Sequence, residues 1–151
     1  MMLKFVVISA VIALALSEPV KYVECKNKPL KAKLVSVDID PCSNPQRCDL
    51  KKGTKPKVSI TFTSNEKAPN VTAKVTGYVF HIPKSFPLEN PNGCKDSGLQ
   101  CPLQAGKKYT YEQSIEIKEY YPNVQVLIQW ELQDQNSNDL VCFAVAAQIV
   151  S

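Results

Sequence analysis

The sequence predicts an all-β fold, an immunoglobulin-like sandwich of about seven strands in two antiparallel sheets. Six segments alternate apolar and polar residues with a period of two. Clusters of Pro, Gly, Asn and Asp separate these segments, and beyond the N-terminal stretch no apolar stripe of helical period competes with them. Six cysteines and eleven prolines in 151 residues point to a stapled, loop-rich domain, and that length supports a single core.

The first seventeen residues read as a secretory leader. Lys4 supplies a positive start, residues 5–16 are apolar except for Ser9, and Ala15 and Ser17 are small residues placed for cleavage before Glu18. The run is shorter than the roughly 20 residues that cross a bilayer. Residues 18–151 then form one exported domain. In an oxidising compartment Cys25, Cys42, Cys48, Cys94, Cys101 and Cys142 read as disulfides, with fifteen pairings available if all six are joined. Zinc is disfavoured, because no C-x-x-C pair exists and His81 is the one imidazole. Local geometry favours Cys42–Cys48 around Ser43, Asn44 and Pro45, and Cys94–Cys101 around Asp96, Ser97 and Gly98. Cys25 is left with Cys142. A loop that long contributes about 4 to 5 kcal/mol in the chain-entropy model, against about 2 to 2.5 for each small one.

The strands follow in order. In residues 34–39 Val35, Val37 and Ile39 share one face, opposite Ser36 and Asp38. Val58, Ile60 and Phe62 alternate with Ser59, Thr61 and Thr63. Residues 71–82 read as one long strand with Val71, Ala73, Val75, Gly77 and Val79 on one side. Residues 109–117 follow, then 124–132, which places Val124, Val126, Ile128, Trp130 and Leu132 together. Residues 142–150 close the chain with Phe143, Val145, Ala147 and Ile149 on one face.

Between strands, Pro41, Pro45, Lys52-Gly53, Pro56 and residues 66–70 and 90–93 break the periodicity, and residues 134–139 read as a hairpin tip. Asn70-Val71-Thr72 is an N-glycosylation sequon at a loop-to-strand boundary. Residues 83–91 hold three prolines together with Phe86 and Leu88, and Tyr120-Tyr121-Pro122 is a second aromatic–proline element. Such aromatics either form the mouth of a cavity between sheets or plug the end of an ordinary core. Trp130, mid-strand, reads first as a core residue.

Composition narrows the function. A net charge of +4, well mixed, argues against a nucleic-acid partner. No G-x-S-x-G elbow accompanies His81, which falls in a strand, and disulfides consume every thiol. Glu116 with Glu119 and Asp134 with Asp139 lie in polar stretches and read as solvated. The chain therefore reads as a non-enzyme with no metal and no cofactor.

Seven strings run in order along the chain: Thr61-Phe62-Thr63-Ser64-Asn65, Phe86-Pro87-Leu88, Asn92-Gly93-Cys94-Lys95, Cys101-Pro102-Leu103, Tyr121-Pro122, Trp130-Glu131-Leu132-Gln133-Asp134 and Gln148-Ile149-Val150-Ser151. With the leader, Glu18-Pro19-Val20 and the cysteine spacing, they resemble the Niemann–Pick type C2 family of lipid-recognition β-sandwich proteins. The resemblance implies the same three disulfides and a hydrophobic tunnel between the sheets for one sterol or fatty-acid-like ligand. It implies a tunnel mouth at Phe86, Ile117 and Tyr121, with Pro122 and Trp130 as further lining. Alternation adds Ile39, Val58, Val79, Val126, Ile128, Phe143 and Ala147 on inward faces. Mammalian sterol carriers of the family have a tryptophan at Phe143, a valine at Ala147 and a glycosylated asparagine at Ser59. These departures imply a different pocket shape and set lysosomal delivery apart from plain secretion.

The resemblance implies a monomeric, secreted lipid carrier that meets an acceptor membrane or receptor, with the endosomal or lysosomal lumen as a further destination. Its alternatives are a carrier of fatty acids or chemical signals and a lipid-dependent innate-immune recognition protein. Peptide mapping under non-reducing conditions is expected to recover Cys25–Cys142, Cys42–Cys48 and Cys94–Cys101 with no free thiol; any other pairing overturns the resemblance.

Overall fold

A computed structural model describes residues 19–151. The leader expected at residues 1–17 lies outside the described residues. Nine strands form two sheets. β2 (Ala32–Asp40), β4 (Lys57–Ser64) and β7 (Lys108–Ser114) make a three-stranded antiparallel sheet in that order. β1 (Val23–Glu24), β9 (Asp139–Val150), β8 (Gln125–Gln133), β5 (Thr72–Val79) and β6 (Ile82–Ser85) follow one another across the second sheet. β3 (Cys48–Lys51) joins the same sheet by pairing with β9 in parallel, next to the stretch that β1 covers. The sandwich expected from the alternation is present. Its additional strands, β1, β3 and β6, are two to four residues long and too short to show a period.

Three local readings differ from the sequence expectation. Residues 71–82 do not form one strand. Phe80 and His81 adopt positive φ (51° and 64°) and turn β5 back as β6, with Val79 opposite Ile82. This is a two-residue hairpin whose twist suits antiparallel strands, and it places His81 on an exposed turn instead of in a strand. In β2 the register slips between Leu34 and Ser36. The extra residue of this bulge turns Val35 outward, 44% exposed, and brings Ala32 and Leu34 onto the inner face with Val37 and Ile39. β7 ends at Ser114, but the chain keeps pairing beyond it. The Ile115 N–H donates to Pro56 O (3.0 Å) and the Ile117 N–H to Thr54 O (2.9 Å), so both isoleucines remain inside.

The core fills the space between the sheets. Trp130, Tyr111, Phe62 and Phe143 are its largest fully buried side chains, each contributing about 1.5 to 3 kcal/mol through burial. Cys25 is bonded to Cys142 across a separation of 117 residues, fastening the start of the domain to β9. Cys42–Cys48 and Cys94–Cys101 close short loops.

Asp134 and Asp139 are buried, which corrects their reading as solvated carboxylates. They flank the β8–β9 hairpin, and backbone and lysine donors compensate their desolvation. Asp134 Oδ1 accepts from the Asn136 and Asn138 N–H groups (2.8 and 3.0 Å). Lys28 Nζ lies 3.0 Å from Asp139 and 3.3 Å from Glu131, whose other oxygen accepts from Gln129. Two carboxyl pairs result, Glu66 with Asp134 and Glu131 with Asp139, in each of which a proton held by one member can be donated to the other. The bond to Asp134, with burial, raises Glu66 above the ordinary carboxylate range. Burial and then the bond to Glu131 raise Asp139. In Glu131 burial opposes ionisation, but bonds from Asp139, Gln129 and Lys28 outweigh it and hold the carboxyl low. Asp134 is likewise held low, against burial, by Glu66 and the two backbone donors.

Each pair thus favours holding a single proton. The stabilisation from Glu66 and Asp139 is present when they are protonated and is lost as pH rises through their raised values. That from Glu131 and Asp134 is lost as pH falls through their lowered values. Thermal melts between about pH 3 and pH 8 are expected to peak in the mildly acid range, bracketed by the ordinary carboxylate values near 4. Glu66→Gln supplies a permanent donor to Asp134 and should flatten the decline on the neutral side. Parallel curves for variant and wild type would remove Glu66 from this role.

Candidate binding site between the sheets

Alternation aims one face of every long strand at the opposite sheet, and those faces are apolar. Ile39, Val58, Ile117, Val126, Ile128, Trp130, Phe143 and Ala147, all expected at the site, are buried there. Val79 and Tyr121 are half-buried against the same core. Pro122 is exposed and stands outside the apolar layer, because it is Tyr121 that packs toward Phe86.

Phe86 and Tyr121 come from separate connections and meet with ring centroids 5.3 Å apart. Phe86 is held by its own N–H, which donates to Val75 O (3.0 Å), and its ring lies over Gly77. A Cβ on Gly77 would sit 3.6 Å from the Phe86 ring and 3.3 Å from Val126, so the glycine makes room for the aromatic. Tyr120 packs edge-on against Tyr121 (5.1 Å), with Lys118 Nζ 5.8 Å from the Tyr120 ring. The structure therefore brings together two of the three expected mouth residues, Phe86 buried and Tyr121 half-buried. Ile117 is fully enclosed.

The proline-rich connection is anchored to both sheets. After β6 it follows the edge of β5, where the Ala73 N–H donates to Pro91 O (2.8 Å). On the other side Asn90 O accepts from Gln113 Nε2 of β7 (2.7 Å). Gln113 Oε1 in turn accepts from the Tyr111 hydroxyl. Burial pushes the Tyr111 phenol well above the usual tyrosine range, so it serves as a donor throughout the accessible pH range.

Tyr111 and Gln113 were absent from the sequence expectation. Alternation counted back from Ile117 places Tyr111 on the inward face, but nothing in the sequence couples Gln113 to Asn90. Tyr111 of the smaller sheet meets Trp130 of the larger one edge-on, with centroids 5.9 Å apart. Phe143 and Val75 flank Trp130 on the neighbouring strands.

Elsewhere, an open groove of about 620 Å³ lies on the outer face of the larger sheet, between Arg47, Tyr78, Phe80 and Leu127. Val126 and Ala147, two of the expected site residues, also border it. Glu131, Asp139 and Cys142 have ligand atoms near one another, but the Cys142 sulfur is committed to a disulfide and cannot serve as a thiolate ligand.

A family model described as the ML domain matches residues 19–149. The zebrafish (Danio rerio) protein named NPC intracellular cholesterol transporter 2 is 39% identical over 146 residues, spanning 97% of this chain and 95% of that protein. NPC intracellular cholesterol transporter 2 homolog a of Drosophila melanogaster is 36% identical over 149 residues, spanning 98% and 99%. The crystal structure of a Niemann-Pick type C2 protein from Japanese carpenter ant is similar with a TM-score of 0.78 at 27% identity, covering 86% of this chain and 99% of that one.

The positions of Trp130 and Tyr121 generate unequal expectations for stability. Trp130→Ala empties the centre of the core and should destabilise by about 3 to 5 kcal/mol. Tyr121→Ala removes a half-buried ring and should cost less than about 1.5 kcal/mol. Urea denaturation of both variants checks this, and equal losses would place Tyr121 in the core proper.

Proposed function

The chain belongs to the ML-domain family, and from that premise we propose that it is a secreted lipid carrier that holds one sterol or fatty-acid-like molecule between its two sheets. The observation that carries the reading is the inter-sheet layer itself. Two continuous apolar faces meet there through side chains, while the ladder hydrogen bonds stay within each sheet. Separating the sheets around an apolar molecule therefore breaks dispersion contacts and no ladder bond. The entering molecule returns about 25 cal/mol for each Å² of apolar surface removed from water. The names of the zebrafish and fly relatives, cholesterol transporters, support a lipid cargo.

In this reading Phe86 and Tyr121 form the gate, with Pro122 stiffening the outer side of the rim. Ile117, Trp130 and Phe143 line the deeper wall, and Ile39, Val58, Val79, Val126, Ile128 and Ala147 complete it. The work is binding and hand-over to an acceptor membrane or receptor, without bond-making chemistry. Export would follow from the leader at residues 1–17, and Asn70, exposed before β5, is the glycan acceptor.

Natively purified protein is expected to yield a lipid on organic extraction, identified by mass spectrometry. Displacement of a fluorescent fatty acid or sterol should weaken about tenfold to hundredfold in Phe86→Ala and Tyr121→Ala, mainly through faster release. Unchanged affinity with lost stability would return both residues to an ordinary core.

A further inference from the structure

Among the described residues, three buried side-chain polar atoms lack a hydrogen-bond partner. Two are carboxylate oxygens of Glu66 and Asp134, which belong to the proton-sharing pair at the β8–β9 hairpin. The third is the indole Nε1–H of Trp130, at the centre of the inter-sheet layer. Trp130 is 1% exposed, so bulk solvent does not reach this donor.

The neighbours of the indole leave it without an acceptor. Val75 and Phe143, opposite it on the adjoining strands, are apolar. Tyr111 meets the indole in a T-shaped contact, and its hydroxyl donates to Gln113. A phenylalanine here would fill much of the same space without burying an unpaired donor. An unmade hydrogen bond in a dry interior is a standing cost that a bound acceptor would relieve.

We propose that the Trp130 Nε1–H selects the cargo. This inference rests on the inter-sheet carrier reading. The site favours lipids that carry a hydrogen-bond acceptor oxygen, such as a carbonyl or hydroxyl, on the part enclosed between the sheets. It disfavours a plain hydrocarbon segment of the same length. The discrimination arises because one neutral hydrogen bond forms with the favoured ligand where a buried donor otherwise stays unpaired.

Trp130 is the one tryptophan of the chain, so its indole N–H gives a single side-chain resonance in isotope-labelled protein. The ligands to compare are stearic acid and keto-stearic acids with the carbonyl near the head, at mid-chain or near the tail. At least one keto acid is expected to bind about five- to tenfold tighter than stearic acid. That same ligand should move the indole proton downfield, as a new hydrogen bond requires, while stearic acid should not. In Trp130→Phe the ratio of keto-acid to stearic-acid affinity should fall to about one, whatever the absolute affinities. Equal binding of all these acids to wild type, or an indole resonance that no bound keto acid moves, overturns the inference and leaves the carrier reading standing. Failure of every acid and of cholesterol to bind would remove the carrier reading and this inference with it.

Discussion

The contact between Trp130 and Tyr111 stands for the constraint on which the rest of this structure depends: the two sheets are joined through side chains. The ladder hydrogen bonds of the described residues lie within each sheet, so at the centre the sheets are held together by burial of apolar surface and dispersion between interlocked residues. A sandwich held this way is stable when its faces fit, and it can admit an apolar guest without dismantling its backbone. Storage of a hydrophobic molecule and the stability of the empty domain draw on the same surface.

The two ends of β8 are finished in opposite ways. At the Gln133 end the hairpin is closed by polar groups: Lys28 bridges Glu131 and Asp139, and Asp134 accepts from the Asn136 and Asn138 N–H groups. That end would have to break several charge-assisted bonds to open. At the Gln125 end the closure is Phe86 on Tyr121, two rings on separate connections that share no hydrogen bond. The proline-rich connection limits how far that end can move, because it is tied to β5 on one side and to Gln113 on the other. In the proposed carrier, the aromatic end is the one that side-chain motion opens.

The same connection also protects a sheet edge. β6 is the outermost strand beside β5, and it carries Pro83, which has no N–H to offer a further strand. β1 and β3 divide the other edge between them, one antiparallel and one parallel to β9, so neither presents a long template for association. Short and interrupted edges leave the larger sheet little template for pairing with a neighbour.

The period-two patterns by themselves determined the sandwich, the inward faces of β4, β5, β8 and β9, and most of the candidate lining, because burial on one face of a strand writes itself into every second residue. The cysteine spacing favoured the same three bonds for an equally local reason. What alternation could not show was where the count slips. The bulge at Val35 depends on pairing with β4 and the turn at Phe80–His81 on β6 folding back along β5, whereas Val35, Phe80 and His81 all read locally as strand. Nor could it tell Asp134 and Asp139 from solvated loop acids, since their burial depends on Lys28 and Glu66, far away in the chain. The lone donor of Trp130 belongs to the same class. That a tryptophan sits inward was legible in the sequence. That Val75, Tyr111 and Phe143 surround it with no acceptor was decided by the tertiary structure, because a hydrogen-bond vacancy is a property of the whole set of neighbours and of no single strand.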